Sequence, residues 1–450
     1  MKVALDSIRG CFEGGVPSLL ASCARDGVPN LTYVSQVHYV DREHVALTFQ
    51  FFNKTYENVR ANPQAAAYVA DPDTGASYRL QLRYLRTEES GPLFESMKAK
   101  LAGIASHTGM SGVFLLRGAD VYRVVEAERV PGPEVARPPA RCNPMSAVRR
   151  ISERLATHSD LGTLLDDTLA ALDDQLGIGY AKVLLLEAGR GRPPRLYTVA
   201  TRGYSTSGVG SEIGLGEGVI GTAAAFRTPI RISHFTAEYI YGRAVRDQIV
   251  AGGLAEQLET EIPLPGLPAP ASQLAVPIIL GGRLAGVLYV ESPEELRFSY
   301  DDEDALVAVA TQLGMAIAVL QEAADDENEE TPAAGTPARP QPGGVAIVRL
   351  YRANDSVFID DDYLIKGVAG SIFAKLVRDY TAAGRTEFSN RELRLDPAIR
   401  LPDIGDNLEA RLILLQRRLA ERCNFMAIAK TGRGRFHFEV KRPVKLVEVS

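Results

Sequence analysis

The chain has 450 residues, 46% of them apolar and 24% charged, and a net charge of −6. That length exceeds one ordinary core and points to about three domains of globular composition. Four cysteines without close spacing, Cys11, Cys23, Cys142 and Cys423, argue against a disulfide framework or a zinc site and fit a reducing cytoplasm, while the lack of a signal-peptide pattern or an eighteen-residue apolar run predicts no membrane span.

The net charge hides an asymmetry. Residues 345–450 carry 19 Lys and Arg against 14 Asp and Glu. Residues 321–344 carry 1 against 6, and residues 1–320 carry 30 against 36. The last stretch is the one basic part, which suits a polyanion partner.

Residues 1–128 read as strand-rich. Two runs flank Asp26-Gly27, a hairpin signal. Further strands are expected at His44–Phe52, Ala65–Ala70, Tyr78–Arg86 and Val113–Val125. Short helices are expected at Thr55–Ala61, stopped by Asn62-Pro63, and at Phe94–Ile104. Tyr78–Arg86 alternates apolar and polar residues and predicts one wet face. Lys54 and Thr55 follow a strand and open a helix, where backbone N–H groups favour an anion. The plain alternative is an ordinary lysine at a strand end.

Arg25-Asp-Gly-Val-Pro-Asn30, Phe49-Gln-Phe-Phe-Asn-Lys-Thr55 and Asn58-Val-Arg-Ala-Asn-Pro63 resemble the pyridoxamine 5′-phosphate oxidase-like split barrel. That resemblance implies flavin mononucleotide (FMN) held between two subunits. It assigns the phosphate to Lys54 and Thr55, with Gln50 and Asn53 as hydrogen-bonding partners and Gln81 as a weaker candidate. His107, in a loop of small residues, is read as a haem ligand, a proton donor or a satisfied loop histidine.

Residues 129–144 form a proline-rich, semi-stiff linker. One long helix is expected over Met145–Leu176. In the stretch Ile213–Ile232, Gly214, Gly216, Gly218 and Gly221 permit tight turns. An apolar helix, Val219–Phe226, follows, and Thr228-Pro229 ends it. Leu274–Ser292 holds two apolar strands joined at Gly281-Gly282, a second hairpin signal. The Gly-Glu-Gly-Val-Ile-Gly turn and the Gly-Val-Leu-Tyr-Val strand resemble the GAF domain, a sensory module that binds small molecules or mediates pairing. No cysteine lies between 143 and 422, so a thioether-linked bilin is excluded. His234, Phe235, Tyr239, Tyr241 and Arg243 fall where a GAF pocket is often covered; they line a ligand or simply pack. A helix over Asp301–Leu320 closes the unit with a near-heptad apolar stripe, able to pack on its own sheet or on a second subunit.

Residues 322–344 are acidic and then Pro/Ala/Gly-rich, the composition of a flexible tether. The last unit opens with short strands through Ile365. Helices are expected at Gly370–Tyr380, after the cap Ser389, and at Asp406–Cys423. A hairpin turns about Thr431–Gly434. Leu415-Gln-Arg-Arg-Leu and Ile428–Phe436 resemble the recognition helix and wing of response-regulator winged helices. A long segment, Asp396–Ile404, departs from that pattern. Leu408, Leu412, Leu415 and Leu419 form one core stripe. Asn407, Arg411, Arg418 and Arg422 cluster on its flank, and Arg433 and Arg435 stand in the wing, the placement for docking duplex DNA. The alternatives are a solvated helix face or a protein-binding winged helix.

The expected fold is α+β and multidomain: split β-barrel, GAF-like α/β sandwich, winged helix-turn-helix. No catalytic constellation stands out. The reading is a cytoplasmic, homodimeric regulator that responds to a small-molecule ligand or to redox state. Its competitor is a flavin-dependent oxidoreductase with regulatory appendages.

Overall fold

The computed structural model describes residues 2–14, 16–50, 54–107, 115–187, 193–233, 262–326, 344–352, 354–399, 408–432 and 434–449. The first unit opens on a 3-10 helix, Leu5–Phe12, that buries Leu5, Ile8, Cys11 and Phe12. β1 (Ser18–Cys23) and β2 (Pro29–Val34) form the expected hairpin. Then come β3 (Val37–Tyr39), β4 (His44–Phe49), α1 (Lys54–Ala61), β5 (Gln64–Ala70), β6 (Ser77–Glu88), α2 (Pro92–His107) and β7 (Gly118–Val130). The strands make one curled antiparallel sheet of order β2-β1-β5-β6-β7-β4-β3. On β6, Leu80 and Leu82 point inward while Arg79, Gln81 and Arg83 face solvent, the predicted alternation.

The second unit begins with α3 (Pro144–Leu155) and α4 (Leu161–Leu176). The single helix expected over 145–176 is therefore two. Asp160 explains the break: its carboxylate accepts the Thr163 N–H at 3.0 Å and caps a fresh helix. β8 (Tyr180–Glu187), β9 (Arg195–Arg202), β10 (Glu212–Gly214), α5 (Gly218–Phe226), β11 (Ile230–Ile232), β12 (Ser272–Leu280), β13 (Arg283–Ser292) and α6 (Tyr300–Asp326) complete it. The sheet order is β10-β9-β8-β13-β12-β11, antiparallel throughout. Gly281 and Gly282 both take positive φ in the β12–β13 turn, as a two-residue hairpin requires. Helices α3, α4 and α6 cover one face through Ile151, Leu164, Leu165, Leu306 and Leu313. α5 covers the other. By length and composition the helical stretch Tyr300–Gln321 could cross a membrane, yet Leu306, Val309, Leu313 and Ile317 are buried in this unit's core. α6 also runs to Asp326, into the stretch read as tether; 327–343 lie outside the described residues.

The third unit holds β14 (Ala346–Tyr351), β15 (Ser356–Ile359), β16 (Asp362–Ile365), α7 (Gly367–Ala383), β17 (Glu387–Ser389), α8 (Asn390–Leu395), α9 (Leu408–Arg422), β18 (Met426–Gly432), β19 (Arg435–Val440) and β20 (Val444–Val449). One sheet runs β16-β15-β14-β20, the other β17-β19-β18. Ser389 and Glu392 form a full capping box at α8. β20, which the sequence reading did not place, pairs parallel with β14. Of the Asp396–Ile404 segment, residues 400–404 lie outside the described residues.

Candidate functional site

Three places gather chemistry. In the first unit, Lys54 is exposed at the first residue of α1. The Thr55 hydroxyl is buried and accepts from Asn30 Nδ2 at 2.7 Å. Gln50 is buried, donates to Ser35 Oγ at 2.9 Å and leaves its Oε1 without a partner. α1 packs on the inner face of the sheet, where Asn58 reaches Ser22 Oγ at 3.2 Å. Gln81 is on the outer face, bonded to Glu126 at 3.1 Å. The chain thus brings Lys54 and Thr55 together and holds Gln81 apart from them. Asn53 and the side chain of His107 lie outside the described residues.

The second place is the α5 side of the six-stranded sheet. Lys182 on β8 is 1% exposed, directly before the apolar run Val183–Leu186. Its ammonium donates to the Pro265 carbonyl. It lies 3.9 Å from Glu291 Oε1 and stands over the rings of Tyr204 and Tyr289, 4.8 and 4.6 Å from their centroids. Glu291, 2% exposed, accepts from Tyr289 Oη and the Leu267 N–H, each at 3.1 Å. Burial pulls the Lys182 amine down to about 8, against the opposing pull of Glu291. Leu184, Leu196, Ile220, Ile230 and Val287 floor the same face. A few polar groups thus converge among apolar side chains, as they do in small-molecule sites. Sequence reading missed Lys182 and Glu291; the signal was a charge inside each buried strand run. His234, Phe235, Tyr239, Tyr241 and Arg243 lie outside the described residues.

A buried ionic knot joins the first two units. Arg231 on β11 donates to Glu13, to Glu303 Oε2 at 2.8 Å and to the Phe298 carbonyl at 2.9 Å. Its guanidinium lies 4.3 Å from the Tyr300 ring centroid. Lys100 is 3.7 Å from Glu13 and donates to the Phe12 carbonyl at 3.0 Å. Burial first, then Arg231, push its amine down to about 7. Burial, Lys100 and Arg231 together hold His38 well below its ordinary value.

The third place is α9. Leu408, Leu415 and Leu419 face the unit's own core as predicted, with Leu412 only partly buried. Arg411 and Arg418 are buried, 4% and 3% exposed. Arg418 Nε donates to the Leu364 carbonyl at 3.0 Å and Nη1 to Glu421 at 3.0 Å. Burial lowers its pKa. Arg411 Nε lies 3.5 Å from Glu187 of the second unit. Arg422 is exposed and Arg435 half-buried. Asn407 and Arg433 lie outside the described residues. Arg417, which the sequence reading passed over, donates to the Val199 carbonyl at 2.6 Å and to Asp166 at 2.8 Å. In this arrangement neither Arg411 nor Arg418 reaches solvent, because the second unit and the unit's own β16 cover that flank.

Among the described residues no group of three or more His, Cys, Asp or Glu could hold a metal ion. The family model that matches is the GAF domain, over residues 158–318. That segment is a GAF domain, a fold associated with sensing. No curated protein matches. Among solved structures, the GAF domain of an Acinetobacter phosphoenolpyruvate-protein phosphotransferase is 22% identical, covers 41% of this chain and 97% of its own, and has a TM-score of 0.31. Free methionine-R-sulfoxide reductase from Neisseria meningitidis, in complex with its substrate, is 19% identical over 40% of this chain and 91% of its own, TM-score 0.30. An FMN-binding protein from Syntrophomonas wolfei is 16% identical over 28% of this chain and 92% of its own, TM-score 0.24.

Proposed function

We propose that the chain is a ligand-responsive regulator in which the GAF domain senses a small molecule and governs a DNA-binding winged helix at the C-terminal end. The observation that carries this reading is the sharing of core residues between sensor and effector. Val209 of the GAF domain is buried in the core of the third unit, and Ala410 of α9 is buried in the core of the GAF domain. A change in the sensor therefore acts directly on the helix that carries the arginines. The helix order and terminal hairpin of the third unit, with its basic charge, support the DNA reading. The test is selection of duplex sequences by the full chain from a random pool at about 50 mM salt. Recovery of a sequence whose binding falls steeply with salt is expected. No retained duplex under those conditions, either by the wild type or by variants in which the GAF domain and the third unit part, removes the transcriptional reading.

The first unit is proposed as a curled split barrel that takes FMN, with Lys54 on the phosphate at the start of α1. FMN would supply one- and two-electron redox chemistry there. Lys54 fits, as an exposed cation at a helix N-terminus. Gln81 does not join it within one protomer. Leu31, Tyr33 and Tyr68 leave an exposed apolar strip on the outer face, which suits a second copy. Lys54→Glu is expected to abolish flavin absorbance near 450 nm in protein that is still folded. Undiminished absorbance would move the phosphate elsewhere, and pyridine-nucleotide oxidation by the wild type would favour the oxidoreductase.

A further inference from the structure

We infer that the acidic edge of the GAF domain is an internal polyanion that competes with an external one for the basic face of the third unit. Four ion pairs described across this boundary all run in one direction. Asp160, Asp166, Glu187 and Glu212 of the GAF domain meet Lys430, Arg417, Arg411 and Lys366 of the third unit. Every acid comes from the sensor and every base from the effector. Chance surface pairing would mix the signs.

These bases form one surface. Arg411 and Arg417 stand on α9, Lys430 on β18, and Lys366 at the foot of α7. Their partners are carboxylates spaced along the α4 start and the ends of β8 and β10. Arg417 makes the fullest contact, adding the Gly162 carbonyl at 3.3 Å to Val199 and Asp166. Burial raises the Asp160 carboxyl, but hydrogen bonds from Lys430 and Thr163 outweigh it, and the group is held below its usual range. Apolar contacts lie between the ion pairs: Ala410 and Ile413 against the GAF core, Val209 against the other. A duplex offers the same chemistry as this edge, negative oxygens in a row beside a groove. The closed chain therefore binds its own carboxylates, and the basic face is available only after the units part. Salt then acts twice: it weakens the internal pairs and the external contacts alike.

The parting of the units stands by itself. That the external polyanion is duplex DNA rests on the function proposed above. The experiment is made on the full chain. Asp166→Arg with Glu187→Arg places two cations against Arg417 and Arg411; the Asp166 side chain is 64% exposed, so its reversal spares the GAF core. Arg417→Glu is the independent variant from the other side. Hydrogen exchange across residues 408–422, solution scattering, and binding to a random-sequence duplex are measured for each. Exchange at least tenfold faster and a larger radius of gyration are expected, with duplex affinity raised about tenfold in the first variant. Combining Asp166→Arg with Arg417→Glu restores slow exchange. Unchanged exchange and radius in both opening variants overturn the inference. Opened chains that ignore duplex, like the wild type, uphold the internal contact and remove the DNA reading alone.

Discussion

Replacing Arg231 with Met removes the centre of the knot between the first unit and the GAF domain. The guanidinium donates to Glu13, Glu303 and the Phe298 carbonyl, and it stacks on Tyr300. Arg231 is 3% exposed, so water cannot replace those partners. Breaking one member of a buried pair costs about 3–5 kcal/mol, because the remaining charge is stranded. Here Lys100, 3.7 Å from Glu13, still neutralises one carboxylate, so the lower end, about 3 kcal/mol, is expected. For the roughly 300 residues of the two joined units that is a fall of about 4–5 °C in Tm. Differential scanning calorimetry is the assay, and the transition that moves is the one shared by the first two units. Pairing the change with Glu13→Gln is expected to cost less than the sum of the two alone, since the partners are coupled. A fall under about 2 °C would mean that the knot is an incidental contact and that the two units are held by something else.

The same knot gives a pH dependence. The folded pKa of Lys100 is about 7, below its ordinary 10.5, so unfolding takes up a proton between those values. Stability therefore rises with pH above about 7, by about 2 kcal/mol from pH 7 to 9, and the cost of the buried ammonium is felt in full below that window. Lys100→Met should flatten the rise in urea titrations at pH 6.5, 8 and 9, leaving the smaller part from Lys182, which begins near 8. An equal slope in wild type and variant would refute the assignment. Gly221→Ala tests the turn before α5: a Cβ there would lie 2.3 Å from the Gly214 carbonyl oxygen, so the backbone must shift. A loss of roughly 1–3 kcal/mol is expected from that overpacking, and an unchanged melting curve would show that the turn has room.

Local rules were legible in the sequence. The turns at Asp26-Gly27 and Gly281-Gly282, the cap at Ser389 and the wet face of β6 each depend on a few neighbouring residues. The break at Asp160 was harder, since apolar spacing continues across it and only the cap decides. β20 pairs with a strand far back in the chain, which no local pattern announces. The pairing of Lys182 with Glu291 needs the β8–β13 register, which sets Lys182 opposite Tyr289 and two residues from Glu291. The helical wheel placed Arg411 and Arg418 on one flank of α9. It could not say that β16 and the GAF edge cover that flank, because the covering atoms belong to other elements.

Contacts lead from the buried Lys182 of the GAF domain to α9. Lys182 holds the Pro265 carbonyl. Pro265 lies so close to Gly208 that an added Cβ would sit 2.2 Å from its Cδ. A Cβ on Gly210 would sit 2.7 Å from Ile262 Cδ1 and 3.9 Å from Leu414 Cδ1 of α9. Between those glycines Val209 enters the core of the third unit, and Ser207 donates to Glu421. A ligand that moves Lys182 thus has a packed route to the helix, without which coupling would be mere proximity. Lys182→Met breaks the first link and leaves Glu291 its bonds from Tyr289 and Leu267. The 262–268 segment then keeps the Leu267 bond to Glu291 but loses the hold on Pro265, the turn at 207–210 loses part of its backing, and α9 loosens. Exchange across residues 408–422 is expected to quicken about tenfold, which corresponds to about 1.4 kcal/mol of opening. Ordinary exchange there, alongside faster exchange within 262–268, would show that Lys182 and the helix are uncoupled.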